Sequence, residues 1–277
     1  MNEPLPDPLT IWRFIRRHSV RIVIGAVLLA AFYFAVSVYA TYQREQRIAK
    51  KISSVGGKVE FGFFGPKWIP KSIEGRLPFF DRIREVRLQG KVDFKGKALP
   101  SKAVSLDVLS QLGSLTRLED LYLTNTHIAD PGLKHLQGLT HLKTLILSHN
   151  QVTDVGIEYL KGMRSLKVLF LNRTQITDSG LEHVKGLTSL ESLCLNWNIV
   201  TDAGLGHLNG LTSLRYLGLD GTHVTDAGLE HLNGLKSLDH LTLHQTQTTA
   251  NGRTLLLKAL PGCREWGLLP FDDDIRP

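Results

Sequence analysis

The sequence predicts an α/β chain: a solenoid with parallel strands on its concave face and short helices outside, behind one N-terminal transmembrane helix. Three observations predict it. Leucine makes up 47 of the 277 residues, most of them between residues 106 and 260. Those leucines recur every 24 residues. Near the N-terminus, nineteen consecutive residues carry no charge.

The elements follow in chain order. Residues 1–21 form a basic tail containing Arg13, Arg16, Arg17 and Arg21. The uncharged run Ile22 to Ala40, IVIGAVLLAAFYFAVSVYA, makes a helix about 28 Å long at 1.5 Å per residue, close to the hydrocarbon thickness of a bilayer. Phe32, Tyr33, Phe34, Tyr39 and Tyr42 place aromatic rings near one end, as an interfacial belt does. We assign residues 22–42 to a single-pass membrane helix that contacts lipid. The competing reading is a cleaved secretory signal, for which Val38 and Ala40 supply a small-x-small pattern. The length of the run and of its leader favour an anchor. Four basic residues flank the span on each side, so the positive-inside count is tied. A long soluble domain translocates regardless of its charge, and the repeat body is expected on the non-cytoplasmic side.

Residues 43–82 read as a juxtamembrane helix and strand with an N-terminal cap. Ile48, Ile52 and Val55 form a thin apolar stripe on a helix continuing the span, and Gly56-Gly57 ends it. Lys58 to Phe63 alternates like a short strand. Trp68, Phe79 and Phe80 are expected to cover the open end of the solenoid, since a first repeat exposes its apolar layer.

Residues 83–260 are the repeat body. Ile83, Val86 and Leu88 mark one divergent strand. Six units follow, with Leu118, Leu121 and Leu123 repeated at each 24-residue step as far as Leu238, Leu241 and Leu243. A further column holds Thr126, Asn150, Thr174, Asn198, Thr222 and Thr246. Another holds Asp130, Asp154, Asp178, Asp202 and Asp226, and the last Gly132, Gly156, Gly180, Gly204 and Gly228. The unit is LxxLxLxxTxhTDxGLxxLxGL, where h is Ile or Val. In LxxLxL the last two leucines share one strand face and point inward. Thr or Asn after the strand satisfies backbone groups at the bend. Asp is expected as helix N-cap, and Gly138 with its equivalents as the helix stop. Residues 261–277 form a C-terminal cap and tail.

The unit resembles the leucine-rich repeat family. Its TDxGLxxLxGL form is similar to that of bacterial, planctomycete-type repeat proteins with an N-terminal span, as is the segment QREQRIAKKISSVGGKV. The resemblance implies a protein-binding scaffold, adaptor or sensor, not an enzyme. It covers about two-thirds of the chain.

Charge and motif content bound the function. Residues 1–100 carry a net +10, from +5 over 1–51 and +5 over 52–100, while residues 101–277 carry −3. The body itself is mildly acidic, which argues against nucleic acid as a partner. His135, His183, His207 and His231 recur at the repeat spacing without the accompanying carboxylates a metal site needs. No GxSxG, P-loop or HExxH motif occurs. No catalytic residue, metal, cofactor or small-molecule substrate is assigned. Cys194 and Cys263 lie several repeats apart and are expected as thiols.

The candidate site is the concave face. Residues beside the inward leucines point to it: Tyr122, Ile146, Val168 and Phe170 form a contiguous apolar patch, with Trp197 and Tyr216 at its rim. A protein of unknown identity is the expected partner. The alternative is the substrate-recognition subunit of a ubiquitin-ligase-type complex, since the TDxGL unit also resembles F-box leucine-rich repeat proteins. Against it, no F-box is seen, and Thr or Asn stands where those repeats carry Cys.

Overall fold

The computed structural model describes residues 8–67, 69, 71–74, 76–88 and 103–265. The chain divides into two compact units, residues 1–46 with 63–81 and residues 47–62 with 82–277.

The first unit is built on the long helix α1 (Pro8–Ser54), which runs on into the second. Its stretch from Val23 is long and apolar enough to cross a membrane. The unit also holds a short helix α2 (Lys71–Glu74) and a 3₁₀ turn at Pro78–Phe80. The edge of the Phe63 ring meets Phe80 with centroids 5.8 Å apart.

The second unit is the solenoid. Its strands are β1 (Lys58–Phe63), β2 (Asp81–Arg87), β3 (Asp120–Tyr122), β4 (Thr144–Ile146), β5 (Val168–Phe170), β6 (Ser192–Cys194), β7 (Tyr216–Gly218), β8 (His240–Thr242) and β9 (Arg264–Glu265). They form one sheet in sequence order, parallel from β2 onward. Pairing from β3 to β8 joins residues 24 apart, as Leu145 with Leu169, so the sequence columns are the spatial columns. Helices α3 (Leu106–Leu112), α4 (Asp130–Lys134), α5 (Asp154–Glu158), α6 (Asp178–Val184), α7 (Asp202–Leu205), α8 (Asp226–Leu229) and α9 (Ala250–Ala259) return the chain between strands. The leucine columns fill one continuous core, and most of its members are wholly inaccessible to solvent.

The start of the solenoid is closed by the end of α1. Ile48 and Ile52 are buried in the leucine core, with Val55 and Val59 packed against it. Gly56, at φ 86°, turns the chain, and the Gly57 N–H returns to the Ile52 carbonyl at 3.0 Å. Lys51 pairs with Asp107 on α3. Of the three residues expected to cap this end, Trp68 and the Phe79 side chain lie outside the described residues, and Phe80 belongs to the first unit. Phe80 lines a cleft with Phe34, Ala35, Val38 and Tyr39 of α1. The apolar stripe at 48–55 reaches this place because it continues a preformed helix straight onto the open leucine layer.

Two repeat positions differ from expectation. The helix N-cap is Thr, not Asp. Thr153, Thr177, Thr201 and Thr225 each accept from the N–H two residues on, at 3.3 Å. Asp stands one residue later and reaches into the next turn. Asp178, for example, accepts from the Thr201 N–H at 2.8 Å and the Thr201 hydroxyl at 2.6 Å. The same clamp joins Asp130 to Thr153, Asp154 to Thr177, Asp202 to Thr225 and Asp226 to Thr249. A carboxylate bridging two turns satisfies two donors, whereas a cap satisfies only its own helix. Gly138 and its equivalents are not left-handed helix stops either. The glycines with positive φ among the described residues are Gly56 and Gly221, and nothing in the structure explains a glycine at 138.

The clamp also explains the glycine of TDxG. A Cβ on Gly204 would stand 2.3 Å from the Asp178 carboxylate, and Gly156, Gly180, Gly228 and Gly252 face the preceding Asp in the same way. The ends of the array obey this logic. Ala129 replaces Thr where Leu106 of α3 stands in the Asp column, and Ala250 replaces Asp in the last unit.

Candidate functional site

The strand pleat puts Leu121, Leu145 and Leu169 on the core face and their neighbours Tyr122, Ile146 and Phe170 on the other. There Tyr122, Ile146, Phe170 and Cys194 form a second apolar cluster, separate from the leucine core, with Val168 and Tyr216 packed against it. Five of the six candidate residues are thus brought together. The sixth, Trp197, lies beyond the end of β6, at φ 61°, in the column of Asn125, His149, Arg173, Gly221 and Gln245. All six members of that column have positive φ, between 51° and 66°. The Arg173 guanidinium lies 4.7 Å from the centre of the Trp197 ring. The indole also covers Gly221, where a Cβ would approach it to 2.4 Å. Glycine at 221 thus serves both its positive φ and the close indole.

The apolar patch differs from expectation in one respect. It was expected to be open to solvent, yet Ile146 is 2% exposed and Phe170 8%. Adjacent strands stand about 4.8 Å apart, so large side chains in one column shield one another's flanks. Val168 and Tyr216 are half-buried and form the accessible margin. Arg87 on β2 lies over the Tyr122 ring at 3.9 Å and extends the column beyond the first unit of the repeat.

Partial burial sets the electrostatics of this face. Burial pushes the Tyr216 phenol well above its ordinary value, with Cys194 and Asp220 adding to it. Burial also raises the Tyr122 phenol and the Asp120 carboxyl. His149 is pushed down to about 4 by burial, with Arg173 contributing. Among the described residues, Thr124 Oγ1, Ser148 Oγ and Trp197 Nε1 are buried without a hydrogen-bond partner. Such groups cost stability unless something supplies the missing bond.

Polar ladders at the strand ends position this face, and the sequence reading found only part of them. Asn150 accepts from the Thr126 and Ile128 N–H groups, both at 3.0 Å, and donates to the Leu123 and Leu147 carbonyls at 2.7 and 2.8 Å. Asn198 likewise accepts from the Ile176 N–H and the Thr174 hydroxyl and donates to the Leu171 and Leu195 carbonyls. Thr donates within its own turn, as Thr222 does to the Leu219 carbonyl at 2.6 Å, and also to an Asn of the next turn, as Thr174 does to Asn198 at 2.9 Å. A second ladder was missed. Asn172 accepts from the Asn196 N–H at 3.1 Å, Asn196 from the Asp220 N–H at 2.8 Å, and Asp220 from the His244 N–H at 2.7 Å. The recurrence of Asn, Asn and Asp at 24-residue spacing was the available signal.

Other candidate chemistry is structural. The Asp column is occupied by the clamps. His135 and His231 are exposed, His183 and His207 half-exposed, and no group of three or more metal-holding side chains occurs among the described residues. Cys194 and Cys263 are both buried.

Comparison with known proteins adds the following. The family model described as leucine rich repeat matches residues 116–176 and 140–200. An internalin C2 from Listeria monocytogenes is similar in structure, 23% identical over 68% of this chain and 80% of its own, with a TM-score of 0.49. A leucine-rich repeat protein of Leptospira interrogans is 19% identical over 60% of this chain, with a TM-score of 0.45. This chain covers 52% of that second protein. No curated protein matches the sequence.

Proposed function

We propose that this chain, a leucine-rich repeat protein, is a membrane-anchored interaction module that binds a protein partner through the concave face. Its span is the apolar part of α1, within residues 22–42, and its body lies on the non-cytoplasmic side. It acts as a scaffold, adaptor or sensor, not as an enzyme. The domain division at 21/22, 42/43, 82/83 and 260/261 belongs to the same reading.

The observation that supports partner binding is the second apolar cluster. Tyr122, Ile146 and Phe170 lie outside the leucine core that holds the fold, beside buried polar atoms of Thr124 and Ser148 that lack partners. Aromatic anchors beside unmet polar groups are what a protein ligand exploits. The non-enzymatic reading is supported by where the repeated carboxylates go: each Asp of the TD column holds the Thr of the next turn.

The burial of Ile146 decides how the test is made. An Asp at that position would leave a charge without water and unfold the sheet face. The accessible margin is the better target. In a crosslinked pull-down from host membranes, Val168→Arg with Tyr216→Arg should lose a protein that the wild-type chain captures, at unchanged circular dichroism and melting. Equal recovery from both would remove the concave face as the binding site.

A further inference from the structure

A cleft of about 280 Å³ lies between α1 and the Pro78–Phe80 turn, lined by Phe34, Ala35, Val38, Tyr39 and Phe80. Among the described residues, those lining it are all apolar or aromatic. The helix surface around it is open: Phe34 is 58% exposed and Tyr39 60%.

Depth is the point of interest. Tyr39 stands three residues before Tyr42, and Phe34 eight. At 1.5 Å per residue they lie roughly 4 to 12 Å inside the end of the apolar stretch. A side chain that lines the same cleft shares that depth, so Phe80 is carried below the edge of the hydrocarbon layer.

The turn is built for such a place. Backbone groups in hydrocarbon must be satisfied internally. Pro78 has no N–H to satisfy, and its carbonyl accepts from the Asp81 N–H. The Phe80 N–H donates to the Leu77 carbonyl at 3.0 Å, and the Phe80 carbonyl accepts from the Phe64 N–H at 3.2 Å. The apolar segment 77–80 is bracketed by Arg76, which is exposed, and Asp81, which is half-exposed. A short apolar segment between two charges dips and returns.

We infer that the Pro78–Phe80 turn is immersed in the leaflet on the repeat-body side of the span, and that the cleft it makes with α1 holds a lipid acyl chain. The inference rests on the reading that α1 spans the membrane. The chain then meets the bilayer twice, once through the span and once through a re-entrant turn.

The test uses the full chain with Cys194→Ala and Cys263→Ala, reconstituted in phosphatidylcholine vesicles. An environment-sensitive fluorophore is placed singly by Phe34→Cys, Phe80→Cys, Leu77→Cys or Val155→Cys. Quenching is compared between lipids bearing a nitroxide on the acyl chain and on the headgroup. Acyl-chain quenching at 80 and 77 should come within about twofold of that at 34, given a shared depth in the hydrocarbon layer. It should exceed headgroup quenching there, and be absent at 155 on the exposed face of the repeat body. Quenching at 34 without quenching at 80 or 77 would overturn the immersed turn and leave the span standing. No quenching at 34 would overturn the span, and the immersed turn with it. Quenching at 155 equal to that at 80 would mean general adsorption and also overturn the inference. The Leu77 label keeps the test decisive if the cysteine at 80 loosens the turn, and melting of the repeat body serves as the fold control.

Discussion

Leu169 and Phe170 are consecutive residues of β5, yet they live under opposite rules. Leu169 belongs to a column that is leucine in all six units, from Leu121 to Leu241, and none of its members is more than 1% exposed. Phe170 belongs to a column that changes at every step: Tyr122, Ile146, Phe170, Cys194, Gly218 and Thr242. Both columns are set by the same backbone register. The inner column must fill a shared core at constant strand spacing, so one side chain suits all units. The outer column answers only to its neighbours and to whatever covers it. Variation on one face of a regular array is therefore where a specific function can be written.

The largest expected effect tests that contrast directly. Leu169→Ala should destabilise the solenoid by about 2–5 kcal/mol, as large-to-small changes in a sealed core do. Phe170→Ala should cost about 1–2 kcal/mol, since its ring buries area without leaving a sealed cavity. Chemical denaturation of both variants checks this, and equal losses would mean that the outer cluster is a second core.

A smaller effect sharpens the comparison on the helix side. Asp178→Ala should cost about 1–3 kcal/mol by stranding the Thr201 N–H and hydroxyl. Gly204→Ala drives a methyl group into the same carboxylate and should break the same clamp. The double variant should then lose clearly less than the sum of the two. Additive losses would show that the glycine serves something other than the clamp.

Acidification should weaken the outer side of the array. The His149 pKa is depressed to about 4 from an ordinary 6.5, so the unfolded chain binds the proton more readily than the folded one. Its contribution is fully present above about pH 6.5 and is lost as pH falls from there towards 4. Thermal melts across that window should show a shallower acid slope in His149→Asn, which keeps a residue tolerant of φ 60°. Parallel slopes would place the titration elsewhere.

The smallest effect is expected at the rim. Lys167 and Glu191 pair at 2.6 Å between adjacent units, but both are about half exposed. Removing either should change stability by under about 0.5 kcal/mol. A larger loss would mean that the rim ladders act as a network.

The array was legible because its determinants repeat. Strand positions, inward leucines and the bend column of Thr126 to Thr246 follow from spacing alone, as does the apolar cluster of Tyr122, Ile146, Val168 and Phe170. Roles that depend on a second turn of the chain were harder to read. Asp178 looks like a cap when its own helix is the only context.

By itself, then, the sequence determined the period, the identity of the core face and the helix long and apolar enough to span a membrane. These depend on local geometry: the pleat alternates side chains, and a helix rises 1.5 Å per residue. Only the tertiary structure decided that Asp clamps the next turn, that Ile48 and Ile52 close the solenoid, and that the outer apolar column is shielded and not open. Each of these is a distance between residues of different turns or elements, set by how units stack at the strand spacing. A pattern along one chain direction holds that information only implicitly.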